Sequence, residues 1–216
     1  MSETSSPPSG KHEDAPRIAL FGGTFDPPHR GHLAIARAAA NAFALDTILF
    51  APAGIQPLKA GLTATPFADR LAMVELACAA DPRFAASTLD APQPDGRPNY
   101  TIDSLATLRG QNPQATLFSL AGADSFLTLR KWRSPERLLA LTEWIVVSRP
   151  GFPLDRLDSL HLTPGQRSRI HLLETIHEEV SATYLRDLLA QNQYTNDLIP
   201  PAVAGYIRQH HLYSKR

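Results

Sequence analysis

Short apolar runs alternate with helix-like segments from Arg17 to the C-terminal region, and this alternation limits the folds open to the chain. The predicted strands are Arg17–Phe21, Asp46–Ala51, Ala115–Leu120, Trp144–Ser148 and His171–Glu174. The predicted helices are His29–Ala44, Pro66–Asp81, Thr101–Arg109, Ser134–Leu141, Ser181–Gln191 and Pro201–His210, with a further short helix after Asp124. Strands that alternate with helices form an open, mostly parallel sheet with right-handed crossovers. The sequence therefore predicts a Rossmann-like, doubly wound α/β fold with helices on both faces and a small C-terminal helical part.

The beginning of the chain differs from the rest in composition. Residues 1–16 are rich in Ser, Pro and charged residues and show no apolar periodicity, which predicts a disordered leader. The whole chain has 216 residues, a length that suits one α/β domain. We expect residues 17–213 to form this single domain.

The charge balance excludes one class of partner. Lys and Arg together number 21, as do Asp and Glu, so the formal net charge is zero. A protein that binds nucleic acid electrostatically carries a clear basic excess, so no nucleic-acid partner is expected. Residues 109–216 hold 13 basic and 10 acidic side chains, against 8 and 11 in residues 1–108. This mild excess suits a small anionic ligand better than a duplex.

The single cysteine, Cys78, cannot form an internal disulfide. It falls in register with Phe67, Leu71 and Val74, the stripe of a buried helix face, so core packing is its expected role. No apolar run approaches the about 18 residues that a membrane span needs, and the N-terminal segment is polar. We therefore expect a cytoplasmic protein with no membrane partner.

The residues after the first predicted strand carry the strongest functional signal. In a doubly wound sheet, ligands bind beyond the carboxyl ends of the strands, near helix N-termini. The run there is Gly22–His32 (GGTFDPPHRGH), which contains neither a Walker A loop nor a GxGxxG pattern. His29 and His32 are three residues apart in the first turn of a predicted helix, so their side chains share a face, and His32 is expected to be exposed. A helix N-terminus with two imidazoles favours phosphate oxygens. Metal ligation, with Asp26 as a third ligand, and simple helix capping are the alternatives.

A second polar cluster opens a late predicted helix, in the run Val180–Arg186 (VSATYLR). Ser181 is a good N-cap residue, and Thr183 and Arg186 share one helix face at a spacing of i, i+3. Hydroxyl groups at a helix N-terminus together with a guanidinium form a cradle for phosphate. The alternative is that Ser181 only caps the helix and that Arg186 is only a surface charge.

A third polar position follows the central predicted strand, in Gly122–Ser125. The carboxylate of Asp124 could accept hydrogen bonds from ribose hydroxyls. An Asp that only caps the next helix would show the same pattern, so both interpretations stay open.

Together these runs resemble the HxGH nucleotidyltransferases, a superfamily of adenylyl- and cytidylyltransferases. The histidine run matches its first motif, and Val180–Arg186 stands in the place of its second motif, Ile-Ser-Ser-Thr-x-x-Arg, with Ala182 replacing the middle Ser. Over about residues 17–213 the chain resembles bacterial nicotinate-nucleotide adenylyltransferases. The further segments that carry this resemblance are Pro98–Thr101, Gly122–Ser125, Leu129–Trp132, Ser148–Gly151 and the ending Pro200–Tyr213.

The resemblance implies transfer of AMP from ATP to nicotinate mononucleotide, giving nicotinate adenine dinucleotide and pyrophosphate in NAD biosynthesis. Mg²⁺ would accompany ATP, and no metal site of the protein itself is expected. The implied catalytic residues are His29 and His32, which would hold the triphosphate and its developing charge, and Arg186, which with Thr183 would hold the β- and γ-phosphates. The implied ATP-binding residues are Gly22, Gly23, Thr24, Phe25, His29, His32, Gly122, Asp124, Ser148, Arg149, Ser181, Thr183 and Arg186.

The implied acceptor-binding residues are Lys59, Tyr100, Thr101 and Trp132. Trp132 would stack on the pyridine ring, with core packing as the alternative, and backbone N–H groups near Tyr100 and Thr101 would hold the carboxylate. The loop at Lys59 departs from the family's Pro-Pro-His-Lys or Pro-Pro-His-Arg, because Leu58 stands where the family has a histidine.

Two other functions stay open at the level of sequence. Pantetheine-phosphate adenylyltransferases share the fold and both motifs, but they usually have a shorter chain and a Thr at the position of His29, and Trp132 also counts against this activity. A non-catalytic nucleotide-binding or regulatory protein could use the same fold. Intact His29, His32 and Arg186 disfavour it, because a pure sensor could lose the groups that act on the transition state.

Overall fold

The computed structural model describes residues 15–55, 65–148, 154–174, 180–193, 195 and 197–214. Its strands are β1 (Arg17–Gly23), β2 (Thr47–Pro52), β3 (Phe84–Ala86), β4 (Thr116–Gly122), β5 (Glu143–Ser148) and β6 (Ile170–Glu174). They form one sheet in the order β3-β2-β1-β4-β5-β6, and every pairing within the described ranges is parallel.

The helices run between the strands and beyond the last one. They are α1 (Arg30–Ala42), α2 (Phe67–Cys78), α3 (Thr101–Gln111), α4 (Ala123–Phe126), α5 (Pro135–Leu141), α6 (Pro164–Arg167), α7 (Ala182–Ala190) and α8 (Pro201–Gln209). Two segments, Leu129–Lys131 and Leu154–Leu160, are 3₁₀ helices. Within the described ranges, no helix is both long and apolar enough to cross a membrane.

The strand order places the natural binding edge of the sheet. β1 and β4 lie side by side at the centre, and the chain winds outward from them in opposite directions. Pairing aligns Gly23 with Pro52 and Gly122 with Val147, so the carboxyl ends of the central strands meet at one edge. Doubly wound sheets bind ligands at such a point of reversal. The predicted Rossmann-like α/β fold is confirmed.

Side chains that alternate along β1 contribute to a separate core on each face of the sheet. Ala19 and Phe21 pack with buried residues of α1, α2, α7 and α8. Leu20 packs on the other face with buried residues of α3, α4 and α5. The predicted C-terminal helices complete the first layer, since Leu185 of α7 and Val203 of α8 are fully buried in it.

The sequence does not predict β3 or α6. They contain three and four residues, which is too few to show the period of a strand or of a helix. β3 is defined by its parallel pairing with β2, so its position depends on tertiary contacts rather than on a local pattern.

Cys78 ends α2 inside the first core. Its side chain is 5% exposed, which confirms the predicted core position. Burial raises the pKa of its thiol to about 12, with a smaller effect from Glu75. A thiol with so high a pKa is unreactive at neutral pH.

Candidate active site

The loop after β1 is shaped by one glycine and one strained residue. A Cβ on Gly23 would come within 2.9 Å of Cζ of Phe25, so any larger residue here would displace the buried Phe25 ring. Phe25 has φ of 48°, in the left-handed region, and is buried. Its ring makes edge contacts with Phe21 and with His32, at centroid distances of 5.4 and 4.9 Å. The first motif therefore packs its aromatic residue underneath the histidine pair.

The two histidines of the motif stack on each other, with ring centroids 3.6 Å apart and an interplanar angle of 25°. This confirms that they share a face. His29 is the N-cap residue of α1, not part of its first turn, and its N–H donates to Nδ1 of His32 over 3.2 Å. Because Nδ1 of His32 accepts this bond, the neutral ring of His32 carries its proton on Nε2.

The pair is more enclosed than the sequence predicts. His29 is 5% exposed, and its Nδ1 has no hydrogen-bond partner among the described residues. His32 is half-buried, so its predicted exposure is wrong. Burial lowers the pKa of His29 to about 4, and burial followed by repulsion from His29 lowers the pKa of His32 well below its usual value. Both imidazoles are therefore neutral at neutral pH.

Helix α7 brings the second motif to the first. Arg186 donates from Nη1 to the backbone carbonyl of Asp26 over 2.8 Å and from Nη2 to Oγ1 of Thr183 over 3.1 Å. The second bond confirms that Thr183 and Arg186 share a helix face. Ser181 occupies the N-cap position of α7, but its side chain is exposed and makes no capping hydrogen bond. Its hydroxyl is therefore not occupied by the helix.

The carboxyl ends of β4 and β5 form the other side of the edge. Gly122 ends β4 and is the N-cap residue of α4, so the alternative that Asp124 caps this helix is wrong. Asp124 is exposed in the first turn of α4. Ser148 ends β5 and is buried. Arg149, which is predicted to follow it in the ATP site, lies outside the described residues.

On the side of the site predicted to bind the acceptor, the side chain of Asn99 connects two loops by hydrogen bonds. Ile55 donates its N–H to Oδ1 of Asn99 over 3.0 Å, and Nδ2 of Asn99 donates to the carbonyl of Ala91 over 2.8 Å. A Cβ on Gly54 would come within 2.5 Å of the same Oδ1, so the approach is close. These bonds fix the residues directly before Tyr100. Lys59, also predicted for the acceptor, lies outside the described residues.

Tyr100, Thr101 and Trp132 then come from two helical segments. Tyr100 is the N-cap residue of α3 and Thr101 its first residue, so free N–H groups of the helix begin there. The guanidinium of Arg133 lies 4.6 Å above the ring of Tyr100. Trp132 is half-buried, donates from Nε1 to Oγ1 of Thr128 over 2.9 Å, and meets Trp144 edge-on at 6.0 Å. It is thus anchored to the second core and keeps part of its surface accessible.

A buried polar network behind the first motif was not predicted. Asp26 is 4% exposed, and its carboxylate accepts from the hydroxyl of Tyr213 over 2.6 Å and from the N–H of Thr65 over 3.1 Å. Arg70, 2% exposed, donates to the carbonyls of Thr65 and Thr24 over 2.9 and 2.8 Å. Burial lowers the pKa of Arg70, and Asp26 and Tyr213 oppose this shift.

The network bears on the alternative of a metal bound at Asp26. Both carboxylate oxygens of Asp26 already accept hydrogen bonds. In the part of the chain that the structure describes, no three His, Cys, Asp or Glu side chains are grouped so that they could hold a metal ion. A sequence signal for the network does exist, because Arg70 lies inside the apolar stripe of α2 between Phe67 and Val74, where an unpaired cation would be costly.

A model of the cytidylyltransferase-like family matches residues 20–188, which is the class that this fold and the histidine pair define. The probable nicotinate-nucleotide adenylyltransferase of Neisseria meningitidis serogroup C is 43% identical over 209 residues, with 92% of this chain and 99% of the relative covered. The protein of the same description from Roseiflexus sp. is 41% identical over 196 residues, with 91% and 97% covered. The chain therefore belongs to the nicotinate-nucleotide adenylyltransferase family, which confirms the resemblance seen in the sequence.

Solved structures agree on the fold. The Plasmodium falciparum nicotinic acid mononucleotide adenylyltransferase complexed with NaAD matches with a TM-score of 0.73 at 20% identity, and 92% of this chain and 97% of that chain are covered. At such low identity, the match shows that the two proteins share a fold.

Proposed function

We propose that the protein transfers the adenylyl group of ATP to nicotinate mononucleotide, with release of pyrophosphate. The observation that carries the proposal is the meeting of His29, His32 and Arg186 at the carboxyl edge of the sheet, in a chain of the nicotinate-nucleotide adenylyltransferase family. The names of the relatives supply the reaction, and the geometry supplies groups suited to it.

The triphosphate is expected to lie over the N-terminus of α1. His32 presents Nε2–H as a donor, because its Nδ1 accepts from His29. The N-terminus of α1 adds the partial positive charge of the helix dipole. Arg186 and Thr183, already joined by a hydrogen bond, would take the β- and γ-phosphates. Asp124, exposed in the first turn of α4, would accept bonds from the ribose hydroxyls.

The chemistry needs no general base. The attacking group is a phosphate oxygen of the acceptor, which is ionised near neutral pH. It forms a bond to the α-phosphorus of ATP while the bond from that phosphorus to the bridging oxygen breaks and pyrophosphate leaves. Neutral histidines suit this role, because they can donate N–H hydrogen bonds to the growing charge. They do not need to act as a base, because the acceptor phosphate is already ionised. Fixed donors of this kind stabilise the transition state by electrostatic preorganisation and alignment.

Mg²⁺ belongs to the substrate in this proposal. The ion would arrive on the phosphates of ATP and would neutralise the leaving pyrophosphate. A cytoplasmic location and the lack of a nucleic-acid partner stay predictions.

The acceptor would bind between Trp132 and the start of α3. The pyridine ring could stack on the accessible part of the Trp132 ring, and the hydrogen bond from Trp132 to Thr128 holds that ring in one orientation. The carboxylate would meet the N–H groups at the N-terminus of α3, with the guanidinium of Arg133 above Tyr100 as a nearby cation. An anionic ring substituent fits this surrounding better than a neutral amide.

The test is an assay of pyrophosphate and of the dinucleotide with ATP, Mg²⁺ and each acceptor in turn: nicotinate mononucleotide, nicotinamide mononucleotide and phosphopantetheine. Nicotinate adenine dinucleotide is expected as the preferred product. A preference for phosphopantetheine would contradict the proposal. Binding of ATP without pyrophosphate from any of the three acceptors would favour a non-catalytic nucleotide-binding protein instead.

A further inference from the structure

We infer that Tyr213 is a positioning residue for the adenylyl transfer: its hydroxyl holds the carboxylate of Asp26 and, through Asp26, sets the place of Arg186 and of the histidine pair. This inference rests on the proposed function. Tyr213 belongs to the segment after α8, far in sequence from both motifs, and the two phosphate motifs themselves do not include it.

Tyr213 reaches the first motif from the C-terminal segment. It is half-buried and has φ of 64°, in the left-handed region. Its hydroxyl lies 2.6 Å from Oδ1 of Asp26. Burial raises the pKa of Tyr213, and the bond to Asp26 raises it further. The hydroxyl therefore stays protonated and acts as the donor.

Asp26 depends on this donor. Its carboxylate is buried, and a buried carboxylate is costly unless it is hydrogen-bonded. Within the described residues, Tyr213 is the one side chain that donates to it, and the N–H of Thr65 supplies the other bond. A carboxylate deprived of Tyr213 would turn toward another donor or toward water, and the backbone of Asp26 would move with it.

The backbone of Asp26 is shared by both motifs. Its carbonyl accepts the 2.8 Å bond from Nη1 of Arg186, and Asp26 is followed three residues later by His29, the N-cap residue of α1. A shift of Asp26 would therefore displace Arg186 and the histidine pair together. A misplacement of about 1 Å in a catalytic arrangement can cost about 100-fold in rate.

The experiment compares Tyr213→Phe with Tyr206→Phe. Tyr206 of α8 is a matched control, because its hydroxyl donates to another carboxylate, Oδ1 of Asp69 on α2, over 2.9 Å. Both variants lose one hydroxyl and one hydrogen bond to an acid. Asp69, however, makes no hydrogen bond to either phosphate motif in the part of the chain that is described. Melting temperature, kcat and KM for ATP are measured for each variant, well below the lower melting temperature.

Tyr213→Phe is expected to lower kcat/KM for ATP about 10- to 100-fold, whereas Tyr206→Phe stays within about 2-fold of the wild type. A Tyr213→Phe variant that is folded and as active as Tyr206→Phe would overturn the inference. If Tyr213→Phe does not fold, the variant Asp26→Asn/Tyr213→Phe, which removes donor and charge together, replaces it under the same criterion.

A double-mutant cycle with Arg186→Lys tests the route of the effect. If Tyr213 acts through Asp26 on Arg186, Tyr213→Phe should lower kcat/KM for ATP much less in the Arg186→Lys variant than in the wild type. Fully additive losses would overturn the route. A wild-type protein that makes no dinucleotide would instead refute the proposed function, so the two failures are distinguishable.

Discussion

The buried His29 makes folding sensitive to mild acid. Burial lowers the pKa of His29 in the folded protein from 6.5 to about 4. Between pH 6.5 and about pH 4, His29 is therefore protonated in the unfolded chain but mostly neutral in the folded protein. For His29 alone, the free energy of unfolding has its full value above pH 6.5, falls as the pH decreases through this interval, and levels off below about pH 4. The loss is about 2 kcal/mol at pH 5 and about 3 kcal/mol in full, since each pKa unit corresponds to about 1.4 kcal/mol.

The prediction is checked by urea unfolding of the wild type and of His29→Asn at pH 7.5 and pH 5. Asn is a good N-cap residue and does not titrate, so the variant should lose about 2 kcal/mol less stability between the two pH values. Asp81 does not interfere, because its hydrogen bond to Arg83 lowers its pKa to about 2 and its contribution is lost only at lower pH. Equal losses in the two proteins would refute the reasoning, as would a midpoint near 6.5 for His29 by NMR.

Three predictions concern catalysis. His32→Ala removes a preorganised donor to the developing phosphate charge and should lower kcat about 100- to 1,000-fold, so a variant that keeps about a third of wild-type turnover in steady-state kinetics would contradict it. Arg186→Lys keeps the charge but loses the planar guanidinium whose two nitrogens bond the carbonyl of Asp26 and the hydroxyl of Thr183. KM for ATP should therefore rise or kcat should fall, and no change in either would leave Arg186 without a role. Trp132→Ala should weaken the binding of nicotinate mononucleotide and of nicotinamide mononucleotide by similar factors, because stacking treats both rings alike. The wild-type enzyme should prefer the nicotinate form by about 10-fold or more in kcat/KM, and equal kcat/KM values would contradict this prediction.

The sequence predicts the sheet and both motifs because their signals are local. A strand such as β5 is buried on both faces, so it appears as a continuous apolar run, and the spacing of His29 and His32 alone implies a shared face. The burial of that pair is not local. It comes from Phe25, whose left-handed backbone puts its ring under His32. No periodicity in the sequence reports such a contact.

The hydrogen-bond network around Asp26 also could not be predicted from the sequence, because it joins residues that are distant in the chain. Tyr213 and Asp26 are 187 residues apart, and their bond exists only because α8 packs into the core beside α2. Arg70 does carry a local signal, since a cation stands inside an apolar stripe, but its partners are backbone carbonyls that the sequence does not identify. Asn99 likewise fastens two loops through its side chain, and only folding brings those loops together.

The burial of Cys78 provides the chain with its own reporter of local opening. The chain contains one cysteine, and the thiol is 5% exposed with a pKa of about 12. A thiol reagent can modify it only in molecules in which the end of α2 has separated from β3 and the first core. The rate of labelling, compared with that of the unfolded chain, thus measures the free energy of opening at this place. Cys78 lies at the end of α2, whereas ATP would bind at the N-terminus of α1 in the proposed complex, so labelling with and without ATP would reveal how far the stabilising effect of the ligand spreads.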